Sequence, residues 1–267
     1  MTHDEKRLFL IRYLLNENPD YSSIRIPDDS YRQWRLLRSL MNVRPALPID
    51  DAFLSIQDEF LQEETRRKGI TDIAGLSHVI GDTYLWQGDI TTLRCDAIVN
   101  AANSGMTGCY VPCHGCIDNA IHTFAGIQLR LECNELMTRQ GHEEETGKAK
   151  LTKGWNLPSS HVIHTVGPVV RTYRPTDEDR KLLSSCYRSC LALADENNLG
   201  SIAFCCISTG EFHYPNREAA ETAFNTVQKY RKNTGSRINV VFNVFKDDDR
   251  KIYEELFREY REAQRGN

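Results

Sequence analysis

Apolar residues in the first 76 positions recur at helical spacing. Leu8, Ile11, Leu14 and Leu15 form one such set, at intervals of three and four residues. Two further sets follow along the chain: Trp34, Leu37, Leu40 and Met41, then Phe53, Ile56, Phe60 and Leu61. Prolines, which commonly end helices, punctuate the segment at Pro27, Pro45 and Pro48. The pattern predicts a helical amino-terminal extension over residues 1–76.

From residue 77 to residue 267 the pattern alternates between short apolar runs and longer helical periods. The apolar runs, rich in Val and Ile, are TYLWQG, CDAIVNAAN, SHVIHTVGPV, SIAFCCIST and INVVFNVF. Helical periods cover residues 117–140, 177–197, 216–232 and 249–264. Strands that alternate with helices indicate a mainly parallel sheet covered on both faces. This part is therefore predicted to be a three-layer α/β domain.

Charge and hydropathy narrow the range of partners. The formal net charge is −4, which provides no global basic field for a nucleic-acid backbone. No run of eighteen apolar residues occurs, and the amino terminus lacks the pattern of a cleaved secretion signal. We therefore expect a cytoplasmic protein whose partners include neither a membrane nor nucleic acid.

Ligands of parallel sheets bind beyond the carboxyl ends of the strands, so the chemistry is expected in the segments that leave them. These segments are QGDI, NAANS and STGEFHYP. In STGEFHYP, Gly210 allows close approach of the backbone, and successive N–H groups of such a turn can bind a diphosphate. Phe212 and Tyr214 are candidates for a stacking surface beside it. An ordinary strand-to-helix turn fits the same residues.

The other two exits carry polar side chains. NAANS supplies amides and a hydroxyl suited to sugar hydroxyls, although asparagines are also common turn residues. Asp89 in QGDI can accept a hydrogen bond from an amine or hydroxyl, or can simply cap a helix. Taken alone, neither segment shows whether its polar residues bind a ligand or only stabilise a turn or a helix end.

Three of the nine cysteines lie in one loop, TGCYVPCHGC, together with His114. Thiolates and a neutral imidazole are good Zn²⁺ ligands, and catalytic zinc keeps three protein ligands and an open position. Cys109, His114 and Cys116 provide such a set. Cys113 would close the shell as a fourth ligand, and it also forms a CxxC pair with Cys116 that is typical of redox sites. The sequence favours zinc and leaves the role of Cys113 open.

Three histidines and six cysteines are interpreted as structural residues. His122, in a helical period, and His161 and His164, in or beside an apolar run, are expected to be surface or packing residues and not ligands. Six cysteines in apolar runs are expected to act as small hydrophobes: Cys95, Cys133, Cys186, Cys190, Cys205 and Cys206.

Five motifs in register, QGDIT, DAIVNAANS, IDNAIH, HVIHTVGP and STGEFHYP, resemble those of the macrodomain family of ADP-ribose-binding modules. The loop GCYVPCHGCIDN replaces that family's glycine-rich loop. With Glu211 and the extension motif RPALPIDDAFLSIQDEFL, it makes the chain similar to the zinc-dependent macrodomain (Zn-Macro) subfamily of protein-ADP-ribose hydrolases. The resemblance implies a three-layer α/β/α fold with a central, mostly parallel mixed sheet and a helical amino-terminal extension.

The same resemblance implies roles for individual residues. Asp89 would receive the adenine amine beside Ile90, and Asn103 would orient the distal ribose. Ile117 and Asp118 would contact the ligand where the following helix starts, although an acid there is also favoured by the helix dipole. The diphosphate turn would comprise Ser208, Thr209, Gly210, Glu211 and Phe212. The residues implied for catalysis are Asn103, Asp118 and the zinc ligands Cys109, His114 and Cys116.

The implied reaction is removal of mono-ADP-ribose from an Asp or Glu side chain of a target protein, with release of ADP-ribose. The implied partners are a sirtuin-type ADP-ribosyltransferase and a lipoylated carrier related to the glycine cleavage H protein, with which bacterial members are associated. Alternatives are a non-catalytic ADP-ribose reader with structural zinc, an O-acetyl-ADP-ribose deacetylase, and removal of ADP-ribose from nucleic acid. The acidic charge balance weighs against the last.

Overall fold

The computed structural model describes residues 1–265 and contains both the predicted helical region and the predicted α/β region. The helices are α1 His3–Asn16, α2 Ser30–Val43, α3 Asp51–Lys68, α4 Ile117–Ala125, α5 Ile127–Gln140, α6 Asp177–Glu196, α7 Asn216–Thr234 and α8 Asp247–Arg265. The strands are β1 Thr71–Asp72, β2 His78–Ile80, β3 Thr83–Gln87, β4 Leu93–Arg94, β5 Ala97–Ala102, β6 Ala149–Lys153, β7 His161–Val166, β8 Ser201–Phe204 and β9 Asn239–Val244.

Seven of these strands form one sheet in the order β2-β3-β9-β8-β5-β7-β6. The inner strands pair in parallel, whereas β2 and β6 pair antiparallel at the two edges. Val99, Ile163, Ile202 and Val241, one from each central strand, are fully buried. Because helices cover both faces, these strands are buried almost throughout, and exposed residues do not alternate with buried ones along them. The predicted fold class is confirmed.

Parallel pairing also brings the strand exits together. Gln87 at the end of β3 lies opposite Val244 at the end of β9, and Ala102 at the end of β5 lies opposite Val166. Because β8 lies between β9 and β5, the exits QGDI, NAANS and STGEFHYP open at the same edge of the sheet.

One predicted helix was wrong, and one strand was not predicted. The helix expected over residues 117–140 is interrupted at Gly126, whose φ of 94° lies in a region that favours glycine. A Cβ atom there would lie 2.7 Å from both Gln57 Nε2 and Gln128 Oε1. The strand β6 was not expected, because its sequence AKLTK is largely polar and pairs only at the sheet edge.

The helices α1, α2 and α3 surround an apolar core of their own. Leu10, Leu37, Phe53 and Phe60 are at most 1% exposed there, and Ile127 of α5 belongs to the same cluster. The extension is therefore packed against the α/β region through α5. The boundary placed between residues 76 and 77 stays a prediction. Within residues 1–265, no helix has the length and apolar character needed to span a bilayer.

Candidate active site

Asp89 follows β3 and caps the short 3₁₀ turn that begins at Ile90. Its Oδ1 atom accepts hydrogen bonds from the backbone nitrogen (3.0 Å) and hydroxyl (2.6 Å) of Thr91. Its Oδ2 atom accepts one from Nζ of Lys68, at 2.7 Å. Burial raises the pKa of Asp89, but the hydrogen bonds from Lys68 and Thr91 outweigh burial and hold the pKa below its usual value. Asp89 is thus an anionic acceptor as well as a cap.

Asn103 and Asp118, both implied for catalysis by the resemblance, are in contact. Nδ2 of Asn103 donates to Oδ2 of Asp118 at 3.2 Å and to the carbonyl oxygen of Gly108 at 3.1 Å. Nδ2 of Asn100 donates to Oδ1 of Asp118 at 2.7 Å. Burial raises the pKa of Asp118 to about 6, against the two amide hydrogen bonds. Asn100 was assigned no separate role from sequence, where an amide inside an apolar strand was the only signal.

Cys109, His114 and Cys116 converge in the loop between β5 and α4. Their candidate ligand atoms all lie within 4.8 Å of one another. The Nδ1 atom of His114 is buried and has no hydrogen-bond partner in the part of the chain that the structure describes. Burial raises the pKa of the Cys116 thiol to about 12. Two thiols and one imidazole at this spacing fit the donor set of zinc, since a bound cation stabilises the thiolate form.

Cys113 turns away from this group towards helix α2. Its Sγ atom lies 3.2 Å from Oγ of Ser39 and 3.3 Å from the carbonyl oxygen of Arg35. Its backbone nitrogen donates to Oδ1 of Asn42, and its φ is 51°. Helix α2 thus engages Cys113, and the candidate metal ligands of this loop are Cys109, His114 and Cys116.

The amino-terminal helices hold the cysteine loop in place. Arg38 of α2 donates to the carbonyl oxygen of His114 at 3.0 Å and to Oδ1 of Asn119 at 2.7 Å. Arg130 of α5 donates to the carbonyl oxygen of Thr107 at 2.7 Å, and its guanidinium lies 4.2 Å from the ring centroid of Tyr110. The same guanidinium donates to three carbonyl oxygens at the end of α2: Met41, Asn42 and Arg44. Both ends of the loop are thus fixed to α2.

The turn after β8 lies at the same edge of the sheet. Ser208 has a φ of 66°, and its carbonyl oxygen accepts from the backbone nitrogen of Tyr214 at 3.0 Å. A Cβ atom added to Gly210 would meet nothing within 4 Å, which leaves space above the turn. Oε1 of Glu211 lies 3.7 Å from Nε2 of His114, so the turn reaches the cysteine loop.

The expected stacking role of Tyr214 is wrong, because its side chain is 1% exposed and belongs to the central core. Phe245 was missed. It was included in a strand run, but β9 ends at Val244 and Phe245 is 74% exposed. Because β9 pairs with β3, this aromatic ring lies at the exit that also carries Asp89.

A second group of potential ligands, His122, Cys133 and His164, lies behind the site and is fully buried. Nδ1 of His164 lies 3.2 Å from Nδ2 of Asn100, and its Nε2 lies 2.9 Å from Oγ1 of Thr152. Burial lowers the pKa of His164 to about 3, so the ring is neutral. All three side chains are buried, as packing residues would be, and their packing role stays a prediction.

This chain is similar to a known protein family and to known proteins over most of its length. The Macro domain family model matches residues 99–223. The protein-ADP-ribose hydrolase of Treponema medium is 56% identical over 260 residues, covering 96% of this chain and 99% of that protein. The protein-ADP-ribose hydrolase of Staphylococcus aureus strain MSSA476 is 49% identical over 250 residues, covering 93% of this chain and 94% of that protein.

Solved structures agree with these relatives. The Oceanobacillus iheyensis macrodomain with ADP is 35% identical, with a TM-score of 0.63 over 70% of this chain and 96% of that chain. The Trypanosoma brucei macrodomain in complex with ADP-ribose is 32% identical, with a TM-score of 0.63 over 82% of this chain and 94% of that chain. The chain is therefore a hydrolase that belongs to the macrodomain family of protein-ADP-ribose hydrolases.

Proposed function

We propose that this chain is a zinc-dependent protein-ADP-ribose hydrolase that removes mono-ADP-ribose from Asp or Glu side chains of a target protein. The observation that carries the proposal is the three-residue donor set Cys109, His114 and Cys116, which adjoins the Asn103–Asp118 pair. Gly108, whose carbonyl oxygen binds Asn103, directly precedes Cys109, and Asp118 lies two residues after Cys116. The candidate metal ligands and a polar pair suited to a sugar thus lie in one continuous segment, the loop between β5 and α4 with the start of α4.

The arrangement at the sheet edge fits the rest of ADP-ribose. Similar solved macrodomains contain ADP or ADP-ribose. Asp89 offers an acceptor for the adenine amine, and Phe245 offers an exposed aromatic face beside it. The open turn around Gly210 suits the diphosphate. With adenine at Asp89 and the diphosphate at the turn around Gly210, Asn103 and Asp118 remain to bind the distal ribose.

Zinc held by Cys109, His114 and Cys116 would polarise a ribose hydroxyl or a water molecule. The protein's own contribution is positioning. Asn103, fixed between Asp118 and the cysteine loop, would orient the distal ribose. Asp118 is 4% exposed and keeps acceptor capacity beyond its two amide donors, which allows it to receive a ribose hydroxyl.

The orientation of Cys113 supports an enzyme over a reader with structural zinc. A structural site is closed by four protein ligands, whereas Cys113 is engaged by Ser39 and Arg35. A metal held by Cys109, His114 and Cys116 alone would have room to bind a substrate hydroxyl or a water molecule. The lipoylated carrier as target, the sirtuin-type transferase and the cytoplasmic location stay predictions of the resemblance.

The linkage of the substrate can be tested with three modified proteins that carry mono-ADP-ribose on Glu, Ser or Arg. We expect release of ADP-ribose from the Glu-linked substrate alone, measured by chromatography. Faster turnover of O-acetyl-ADP-ribose than of the Glu-linked protein would contradict the proposed substrate.

Asn103→Ala is expected to lower kcat by about 10²-fold, because misplacement of the ribose by about 1 Å has that effect.

A further inference from the structure

An ion pair joins helix α3 of the extension to the exit of strand β3. Nζ of Lys68, the last residue of α3, lies 2.7 Å from Oδ2 of Asp89. The same ammonium lies 3.2 Å from the ring centroid of Phe124 in α4 and 3.5 Å from Oγ1 of Thr91. The side chain of Lys68 is 32% exposed. These contacts fix the ammonium on several sides, so it is unlike a freely moving surface lysine.

The contacts of Asp89 limit what its carboxylate can still accept. A carboxylate offers about four lone-pair sites, two on each oxygen. The two donors of Thr91 occupy Oδ1, and Lys68 occupies one site on Oδ2. One site on Oδ2 therefore remains. Lys68 and Thr91 also lower the pKa of Asp89, which keeps the group anionic and unable to donate a hydrogen bond.

An anionic carboxylate with one free acceptor site discriminates between purines by the group at position 6. Adenine presents an amine there and donates, whereas hypoxanthine presents an oxygen that is repelled by the carboxylate. The discrimination depends on the carboxylate being held in one orientation. Thr91 is two residues away from Asp89 and holds Oδ1, whereas Lys68 comes from the amino-terminal helices and holds Oδ2, the oxygen that keeps a free acceptor site.

We propose that Lys68 is a positioning residue for base selection: it holds Asp89 so that the remaining Oδ2 site accepts the 6-amino group of adenine. The inference rests on the proposed placement of adenine at Asp89. It makes the amino-terminal helices part of the nucleotide site and gives α3 a role in specificity. Lys68 acts through Asp89 and is expected to raise affinity for the 6-amino base only.

The test is titration calorimetry with ADP-ribose and with its hypoxanthine analogue, inosine diphosphate ribose. Lys68→Met keeps an unbranched stem near Phe124 and removes the charged donor. We expect Lys68→Met to weaken ADP-ribose binding about tenfold, because Asp89 is no longer held in place to accept the hydrogen bond from the 6-amino group of adenine. Binding of the hypoxanthine analogue, which forms no such hydrogen bond, should be unchanged. Lys68→Arg should restore part of the preference. Arg67→Met, on the same helix and paired with Glu63, should bind both ligands like the unmodified protein.

Two results would overturn the inference alone: unchanged ADP-ribose affinity in Lys68→Met, or an equal loss for both ligands. Asp89→Ala separates the failure of the inference from failure of the nucleotide placement. If Asp89→Ala binds ADP-ribose as tightly as the unmodified protein, adenine does not contact Asp89, and both the placement and the inference fail. Thermal melting of each variant establishes that it is folded.

Discussion

Replacing His114 or Cys116 by alanine is expected to abolish zinc binding and to lower the rate of ADP-ribose release by about 10²-fold or more. Loss of the groups that merely support a metal ligand already costs about 10–100-fold in affinity or activity. With Cys109, these residues form the donor set, so each substitution leaves only two ligands. Elemental analysis of the purified variants and chromatography of the released ADP-ribose measure the two effects.

Cys113→Ser is the matched control, because Cys113 lies in the same loop but contacts Ser39 and Arg35. We expect this variant to keep one zinc per chain and near-normal hydrolysis. Loss of zinc in Cys113→Ser would show a fourth ligand and return the site to the closed, structural type. Full zinc content in Cys116→Ala would contradict the assigned donor set.

Of the substitutions proposed for this chain, Arg130→Met is expected to lower the free energy of unfolding most, by about 3 kcal/mol or more. The residue is 5% exposed, and its guanidinium donates to four carbonyl oxygens. Removing a donor from a buried acceptor costs about 1–3 kcal/mol for each group left unsatisfied. Three of these oxygens end α2 and the fourth begins the cysteine loop, so the loop should also bind zinc more weakly.

Urea denaturation measures the stability change, and Arg139→Met serves as its control. Arg139 lies on the same helix, has a side chain that is 67% exposed and forms an ion pair with Glu135. Substitutions at such surface positions usually stay within about 0.5 kcal/mol. A midpoint for Arg130→Met that matches the Arg139→Met midpoint would contradict the role of Arg130 as the link between α2 and the loop.

The strand exits could be predicted from sequence because a parallel sheet places them at one edge regardless of detail. Apolar runs such as AIVNAA mark buried strands, and the polar residues directly after them mark the edge. Asp89, the segment NAANS and the cysteine loop were found in this way, whereas the role of Asn103 was implied by the family resemblance. The helix break at Gly126 was not, because Ile121, Phe124 and Leu131 continue the apolar period across it.

Contacts between distant segments account for most of what the sequence left open. The direction of Cys113 is set by Ser39, 74 residues earlier, and no local pattern encodes that pairing. The contact of Lys68 with Asp89 and the contacts of Arg130 with α2 depend in the same way on how the extension packs. Tyr214 and Phe245 look alike as aromatics near strand ends, and only packing buries the first and exposes the second.

Zinc dependence is tested most directly by removing and restoring the metal in the unmodified protein. The protein is stripped with a chelator, and the rate of ADP-ribose release from a Glu-linked mono-ADP-ribosylated protein is then measured. We predict loss of activity in the stripped protein and recovery on addition of about one equivalent of Zn²⁺, as three-ligand catalytic sites require. Hydrolysis by the metal-free protein at the original rate would contradict zinc dependence.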